Sequence, residues 1–341
     1  MSLASERIQH SLETAREVTR TAADSEFLSL YATINKDLKL LAGQTIPRVD
    51  KKLGFLKFMP SKGVGDICLG KVVTEGKWEQ RCVFGRKGSG PGKFNWACGI
   101  AARQPDEVAV ADCLNKRVVT CSIDGNQKST IPMERRPRGI AATRTGNRLV
   151  VVEENASHVK VFDKDNTLAF QFPTVPPSEV GKTAVNLRSV AVKTDGTIVV
   201  GDIKRMVLTE HSPTDGELRS TIPVKIKPRY VAVDSNDRVV ISDWEQLVSV
   251  VDGNGDTLFT IKPIINGEVV RRCTGVCADS TGIYVAMNNV DDTGHIHHYD
   301  PQGGFLHCIA EGLHWPMGIT FTADGQLAVT DVYSVKIYDF V

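Results

Sequence analysis

The sequence predicts an all-β fold: a six-bladed β-propeller preceded by an N-terminal helical segment. Three observations support this prediction. Six segments repeat one pattern of short apolar strands and tight turns, each repeat is long enough for four strands, and apolar residues alternate with a period of two. That period excludes a solenoid of helix pairs, whose apolar residues recur about every 3.6 positions.

The first strands of the repeats establish the repeat length. They begin at Gly99, Gly139, Ser189, Tyr230, Gly275 and Gly318, at intervals of 40, 50, 41, 45 and 43 residues. A turn such as Asp195-Gly196 or Asp324-Gly325 follows, and then a more apolar strand. Gly and Asx there supply the positive φ that tight hairpins require. Four antiparallel strands in roughly 40–45 residues predict one propeller blade.

The two ends of the repeat region predict how the propeller closes. The sixth repeat stops at Val341 without a fourth strand, whereas an additional strand, residues 79–84, precedes the first repeat. An open sheet edge would favour aggregation. We therefore expect residues 79–85 to close the last blade of a propeller domain that spans residues 79–341.

The N-terminal region has a different pattern. Apolar residues recur at spacings of three and four, as at Phe27, Tyr31, Ile34, Leu38 and Leu41. This stripe predicts a coiled-coil-like helical stalk over residues 1–42 that self-associates, and a helix docked on the propeller is the alternative. Residues 43–78, with their prolines and glycines, predict a linker that contains short strands such as Asp66–Val73.

Composition limits the functional class. The chain has 41 Lys and Arg against 40 Asp and Glu, so no global charge attracts nucleic acid or a membrane. The N-terminus lacks the apolar core of a signal peptide, and no segment is long enough to span a bilayer. The eight cysteines include no CxxC pair, which favours reduced core thiols over zinc fingers or disulfides. We expect a cytoplasmic protein without a cofactor or membrane partner.

The start of the propeller carries a family resemblance. Residues 83–95, VFGRKGSGPGKFN, resemble the signature that opens NHL repeats, and later units such as Gly318–Asp331 resemble the NHL consensus. Ala97 departs from it, because proline is usual there. A helical segment, a linker and an NHL propeller are similar to tripartite-motif NHL proteins, in which a RING finger, B-boxes and a coiled coil come first and the RING confers ubiquitin ligase activity. This chain has no RING zinc ligands, so the resemblance implies a non-catalytic binding module: either the targeting part of a ubiquitin-ligase-type architecture or a relative without a RING finger.

The candidate binding site lies where the inner strands begin. This position holds an arginine in three consecutive repeats, and the side chains there share one face with the turns between second and third strands. Guanidinium groups suit phosphate or carboxylate, and aromatic rings offer stacking surfaces. The predicted partner-binding residues are Arg138, Arg188, Arg229, Arg136, Tyr230, Lys204, Arg205, Trp244, Arg272 and Trp96.

Several functions fit this face. A protein substrate or adaptor is favoured by the near-neutral net charge, and single-stranded RNA is favoured by the clustered arginines. A structural interpretation pairs each arginine with a nearby acid such as Glu153, Glu154, Asp202 or Asp243. A hydrolase-type or lyase-type propeller enzyme with an active site at the channel is the alternative class. It is disfavoured because the position where inner strands begin holds neither histidine nor carboxylate.

Two further patterns resemble sites. His295 and His297 share one strand face, but the sequence indicates no third ligand near them, so we predict no metal site. Aspartates recur at the ends of the second strands, and their repetition at one blade position predicts turn caps rather than catalytic groups. These aspartates are Asp112, Asp202, Asp243 and Asp331.

Overall fold

The computed structural model describes residues 56–59, 71–74, 77–104, 106–143, 148–289 and 293–341. The stalk predicted over residues 1–42 lies outside the described residues, so it stays a prediction. The described residues form β-strands and one 3-10 turn, Pro177–Glu179, and contain no α-helix. The chain divides into two compact units, Met1–Glu75 and Gly76–Val341.

The described part of the first unit is one hairpin. Strand β1 (Leu56–Met59) pairs antiparallel with β2 (Lys71–Thr74), and Leu56 lies opposite Thr74. A strand was expected over Asp66–Val73; residues 66–70 lie outside the described residues, and β2 covers Lys71–Thr74.

The second unit consists of short antiparallel strands. In chain order they are β3 (Trp78–Phe84), β4 (Ala97–Gln104), β5 (Glu107–Asp112), β6 (Arg117–Ser122), β7 (Gln127–Pro132), β8 (Pro137–Ala142), β9 (Leu149–Glu153), β10 (His158–Phe162), β11 (Leu168–Pro173), β12 (Leu187–Val192), β13 (Ile198–Asp202), β14 (Val207–His211), β15 (Leu218–Pro223), β16 (Tyr230–Val233), β17 (Val239–Ser242), β18 (Val248–Val251), β19 (Thr257–Ile261), β20 (Ile264–Ile265), β21 (Glu268–Val269), β22 (Arg272–Ala278), β23 (Ile283–Asn288), β24 (Thr293–Tyr299), β25 (Phe305–His314), β26 (Ile319–Phe321), β27 (Leu327–Thr330) and β28 (Val335–Phe340).

These strands form the six blades of a propeller. Blades 1 to 5 are β4–β7, β8–β11, β12–β15, β16–β19 and β22–β25, each with its strands paired in chain order. Blade 6 combines β26, β27 and β28 with β3 from the other end of the unit. Val335 lies opposite Phe84 and Phe340 opposite Trp78, so β3 covers the edge that β28 would otherwise expose. The short hairpin β20–β21 connects blades 4 and 5.

The hydrophobic core is divided into layers between neighbouring blades. Among the described residues, six large apolar clusters each contain strands of two adjacent blades. Leu149 packs between blades 1 and 2, Ile198 between blades 2 and 3, and Ile337 between blades 6 and 1. No blade buries its apolar faces alone, which explains why the alternating strands specify a closed ring.

Glycines at the start of the inner strands permit close approach of neighbouring blades. A Cβ added to Gly275 would lie 2.1 Å from the carbonyl oxygen of Met317, and one added to Gly318 would lie 2.9 Å from Cα of Gly99. Real Cβ atoms do not approach backbone this closely. The recurrent small residue at this position therefore reflects packing around the axis.

The aspartates at the ends of second strands cap turns, as predicted. Oδ1 of Asp112 accepts a hydrogen bond from the N–H of Asn95 at 2.7 Å, and Oδ1 of Asp331 accepts one from Ser334 at 2.7 Å. Asp243 likewise accepts from the N–H of Glu245 at 2.7 Å. A carboxylate engaged with backbone donors in this way stabilises the loop beside the inner strands.

Candidate functional site

The inner strands all begin at one end of the propeller axis, which we call the channel mouth. Each blade contributes one residue there, and the six are Cys98, Arg138, Arg188, Arg229, Thr274 and Met317. The cysteine, threonine and methionine are buried, whereas the three arginines are half-buried. The mouth is therefore cationic over blades 2 to 4.

Glu154 connects two of these arginines. It lies directly after β9, where its Oε1 is 2.9 Å from Nη2 of Arg138 and 3.2 Å from Nη2 of Arg188. Arg136 approaches the other oxygen at 3.6 Å. The structural interpretation, in which the arginines pair with a nearby acid, is thus confirmed for Arg138 and Arg188. One glutamate links blades 2 and 3.

The charge around Glu154 remains positive. Burial alone would raise the pKa of Glu154, but the charges of Arg138, Arg188 and Arg136 outweigh it and hold that pKa below its ordinary value. Burial, followed by the charge of Arg138, lowers the pKa of Arg188. Three arginines thus share the carboxylate of Glu154, and Arg229 forms no ion pair within the described residues. The Nε atoms of Arg138 and Arg188 are also buried without a protein acceptor in the described structure.

Aromatic side chains cover the other part of the mouth. The ring of Tyr230 stacks on Trp244 with centroids 6.1 Å apart and an interplanar angle of 11°. The hydroxyl of Tyr230 lies 3.9 Å from Sδ of Met317. The guanidinium of Arg272 lies 5.5 Å from the ring of Trp244 and 5.1 Å from that of Trp315, so it makes cation–π contacts with both indoles.

Three tryptophans in this region have a left-handed backbone. Trp96, Trp244 and Trp315 have φ values of 67°, 71° and 53°, and all three side chains are half-buried. This conformation is rare for bulky residues and costs about 1–3 kcal/mol. Such strain clusters at functional sites, where the fold holds a side chain in an otherwise unfavourable position.

The floor of the mouth is apolar and contains two thiols. Cys98, Cys113 and Met317 form a buried cluster against which Trp96 packs. Nη1 of Arg138 lies 3.5 Å from Sγ of Cys98, so the arginines of the mouth contact this apolar floor. Burial raises the pKa of the Cys98 thiol well above its ordinary value, so it is not a ready nucleophile.

Two predicted residues have other surroundings. Nε of Arg205 lies 2.6 Å from Oδ2 of Asp202, and its Nη2 donates to the carbonyl of Thr174 at 3.0 Å. This guanidinium therefore ties the β13–β14 turn to the preceding blade. Lys204 is exposed in the same turn, and only its backbone N–H is bonded, to Asp202. Within the described structure, neither side chain has a hydrogen bond or ion pair with the residues of the mouth.

The histidine pair has a third neighbour. Cys308 lies opposite His297 on the adjacent strand, and a ligand atom from each of His295, His297 and Cys308 lies within 4.8 Å of the others. The premise that no third ligand lies near these histidines was therefore wrong. The seven described cysteines are all free thiols, and five of them are buried. Cys308 is exposed, so it is not the core residue that was expected.

No helix among the described residues is long and apolar enough to cross a membrane. No protein-family model matches the chain.

Comparison with curated proteins confirms the resemblance to the C-terminal portion of tripartite-motif NHL proteins. The chain is 24% identical over 306 residues to the E3 ubiquitin-protein ligase TRIM32 of Mus musculus and equally to that of Homo sapiens. Each match covers 76% of this chain and 45% of the relative, so the chain spans less than half the length of the relatives it matches.

Solved structures show the fold. A streptogramin B lyase superposes with a TM-score of 0.54 at 10% identity, over 77% of this chain and 98% of its own. A gluconolactonase from Xanthomonas campestris superposes with a TM-score of 0.57 at 15% identity, over 73% and 87%. At these identities the likeness extends to the propeller architecture alone.

Proposed function

We propose that the propeller is a non-catalytic binding module whose channel mouth recognises an acidic segment of a protein partner. Two observations at the mouth carry this proposal: Arg229 lacks an ion pair in the described structure, and the guanidinium of Arg272 contacts the rings of both Trp244 and Trp315. Tyr230, which follows Arg229 in the chain, stacks on Trp244. Arginine and tryptophan are the side chains most often found at the energetic centre of protein interfaces. The guanidinium groups match carboxylates, and the indoles supply apolar area.

The charge distribution favours a protein partner over a polyanion. Glu154 neutralises part of the charge of Arg138 and Arg188, whose side chains are only 21% and 20% exposed. The remaining positive charge is local, because the whole chain carries a net charge of only +1. Such a patch suits a few carboxylates presented at fixed positions better than a continuous phosphate backbone.

Single-stranded RNA is the second candidate. The half-buried indoles beside arginines favour it, because bases stack on such rings and phosphates bind guanidinium groups. RNA binding would depend steeply on salt, with a slope of log affinity against log salt of roughly 0.7 per neutralised phosphate. A protein partner held by two or three carboxylates would show a shallower dependence.

A propeller enzyme of the hydrolase or lyase type is the alternative class. Two propellers of similar fold are described as a streptogramin B lyase and a gluconolactonase, but the likeness to them shows architecture alone. The residue that each blade places at the mouth is an arginine, a cysteine, a threonine or a methionine. These six residues include no imidazole or carboxylate for general acid–base chemistry, and the carboxylate that lies among them, Glu154, is engaged by Arg138 and Arg188.

The resemblance to TRIM32 gives this binding module a context. We propose that it selects targets for a ubiquitin-ligase-type protein, that a RING-bearing region supplies the transfer activity, and that the stalk over residues 1–42 self-associates. A cytoplasmic location agrees with the free thiols of the described cysteines.

The test separates the two partner classes with charge reversals outside the Glu154 cluster. Arg229→Glu and Arg272→Glu together should weaken binding of a short acidic, aromatic-containing peptide library at least about tenfold, equivalent to about 1.4 kcal/mol. Arg81→Glu is the matched control, because Arg81 is exposed on β3 and pairs with exposed Asp124. Fluorescence anisotropy with these peptides and with oligouridine measures both.

The outcomes are distinct. The proposal is supported if the double variant loses peptide binding and the Arg81→Glu variant keeps it. Salt-steep oligouridine binding with no peptide binding would replace it with the RNA candidate. Equal binding of either probe by the wild type and the double variant would refute a role for the mouth.

A further inference from the structure

The outer edge of blade 5 brings together three groups that bind metals. His295 and His297 are two residues apart on β24, so they project from the same face of the sheet. The register places Cys308 of β25 directly opposite His297, so its side chain shares that face. His307, the neighbour of Cys308, lies opposite His298 with ring centroids 5.1 Å apart, and belongs to the other face.

The distances are close to those of a tetrahedral site. Sγ of Cys308 lies 3.9 Å from Nδ1 of His295. Tetrahedral Zn²⁺ with metal–sulfur and metal–nitrogen bonds of about 2.3 and 2.0–2.1 Å separates the two ligand atoms by about 3.6 Å. All three ligand atoms lie within 4.8 Å of one another, a span that small side-chain rotations reduce to the required separation.

We propose that His295, His297 and Cys308 form a Zn²⁺-binding site, independent of the function proposed for the channel mouth. A thiolate and two imidazoles are the borderline-soft donors that Zn²⁺ prefers, whereas Mg²⁺ and Ca²⁺ require oxygen ligands. On binding, the Cys308 thiol releases its proton to solvent and the thiolate joins the metal. Because the chain supplies three ligands, the fourth position takes a water molecule or a partner's side chain.

The surroundings orient these ligands. The hydroxyl of Tyr299 lies 3.3 Å from Nδ1 of His297, which leaves Nε2 of that ring for the metal. The ring of Phe305 packs 5.0 Å from His297 and shields one side of the site. His297 is 4% exposed, His295 is half-buried and Cys308 is exposed, so the ion enters from the Cys308 side.

Metal titration of the full chain tests this proposal. Wild-type protein, stripped by chelator and reduced, should bind one Zn²⁺ per chain at this site in competition with a chromophoric chelator. Cys308→Ser and His295→Ala should each weaken that affinity at least about tenfold. Neither ligand is fully buried, so both variants should fold, and thermal melting in excess chelator checks that they do.

Matched controls and a spectroscopic probe make the assignment specific. Cys82→Ser removes a partly exposed thiol elsewhere, and His307→Ala removes an imidazole from the opposite face. Both should retain wild-type affinity. Co²⁺ in place of Zn²⁺ should give a thiolate-to-metal charge-transfer band that only Cys308→Ser abolishes. The proposal fails if Cys308→Ser binds Zn²⁺ as tightly as the wild type, or if the Co²⁺ complex lacks that band.

Discussion

Replacement of Glu154 by glutamine tests whether the cationic mouth is held together by one carboxylate. Glutamine keeps the volume of the side chain and removes its charge, so Arg138 and Arg188 lose their shared counter-ion. Their guanidinium groups then face each other and Arg136 without compensation. The structure therefore predicts a destabilised propeller with a more positive mouth.

The magnitude follows from the two short contacts. At an effective dielectric of about 20, each pair near 3 Å gives roughly 5 kcal/mol of attraction before desolvation is subtracted. Breaking one partner of a buried pair costs about 3–5 kcal/mol in measured cases. The three side chains are 17%, 21% and 20% exposed, so solvent screens them in part and the lower value applies. We expect a loss of about 3 kcal/mol and a fall in Tm of about 6 °C for a domain of this size.

Urea and thermal denaturation measure this loss, and Glu134→Gln is the control. Glu134 also pairs with a lysine, Lys160, but its side chain is 82% exposed, so its replacement should change stability by less than about 0.5 kcal/mol. Arg188→Gln should cost less in the Glu154→Gln background than in the wild type, by about 1–2 kcal/mol. If Glu154→Gln is no more destabilising than Glu134→Gln, the carboxylate does not hold the arginines and the reasoning is wrong.

Three other predictions concern closure, acid stability and assembly. A chain that starts at Lys87 lacks β3, so β28 and its apolar contacts are exposed. It should melt at least about 5 °C below a chain that starts at Lys77. Equal melting temperatures would contradict closure by β3. Burial lowers the pKa of His211 to about 4, against about 6.5 when unfolded. The stability that this neutral histidine contributes is complete above pH 6.5 and falls by about 3 kcal/mol as the pH drops to 4. His211→Gln should therefore flatten the dependence of unfolding free energy on pH in that window, and an unchanged slope would refute the assignment. Finally, the stalk over residues 1–42 should make the chain a dimer in light scattering, and a chain without these residues should be a monomer. Concentrations on the order of tens of micromolar exceed the dissociation constant of a typical specific complex. A full chain that is monomeric at such a concentration would count against the stalk.

The candidate site was only partly predictable from sequence. The repeat places Arg138, Arg188 and Arg229 at equivalent positions, and the structure has all three at the mouth. Sequence periodicity does not indicate which acid approaches them, because Glu154 reaches across from blade 2 to blade 3. The sequence analysis grouped Arg205 with these residues. In the structure its guanidinium instead pairs with Asp202, three positions earlier in the chain, so this local ion pair competes with binding of a partner by Arg205.

The sequence by itself determined the all-β architecture, the number of blades and the strand that completes the last one. Those features depend on alternation and turn chemistry, which act over a few residues and repeat with each blade. Only the tertiary structure decided which side chains meet. Arg272 of blade 5 contacts Trp244, which follows a strand of blade 4, and Trp315, which lies in the connection between blades 5 and 6. Cys308 lies beside His295 and His297 because of the register of β24 and β25. Contacts of this kind depend on blade rotation and on bulges within the strands, since a shift of one residue turns a side chain to the opposite face.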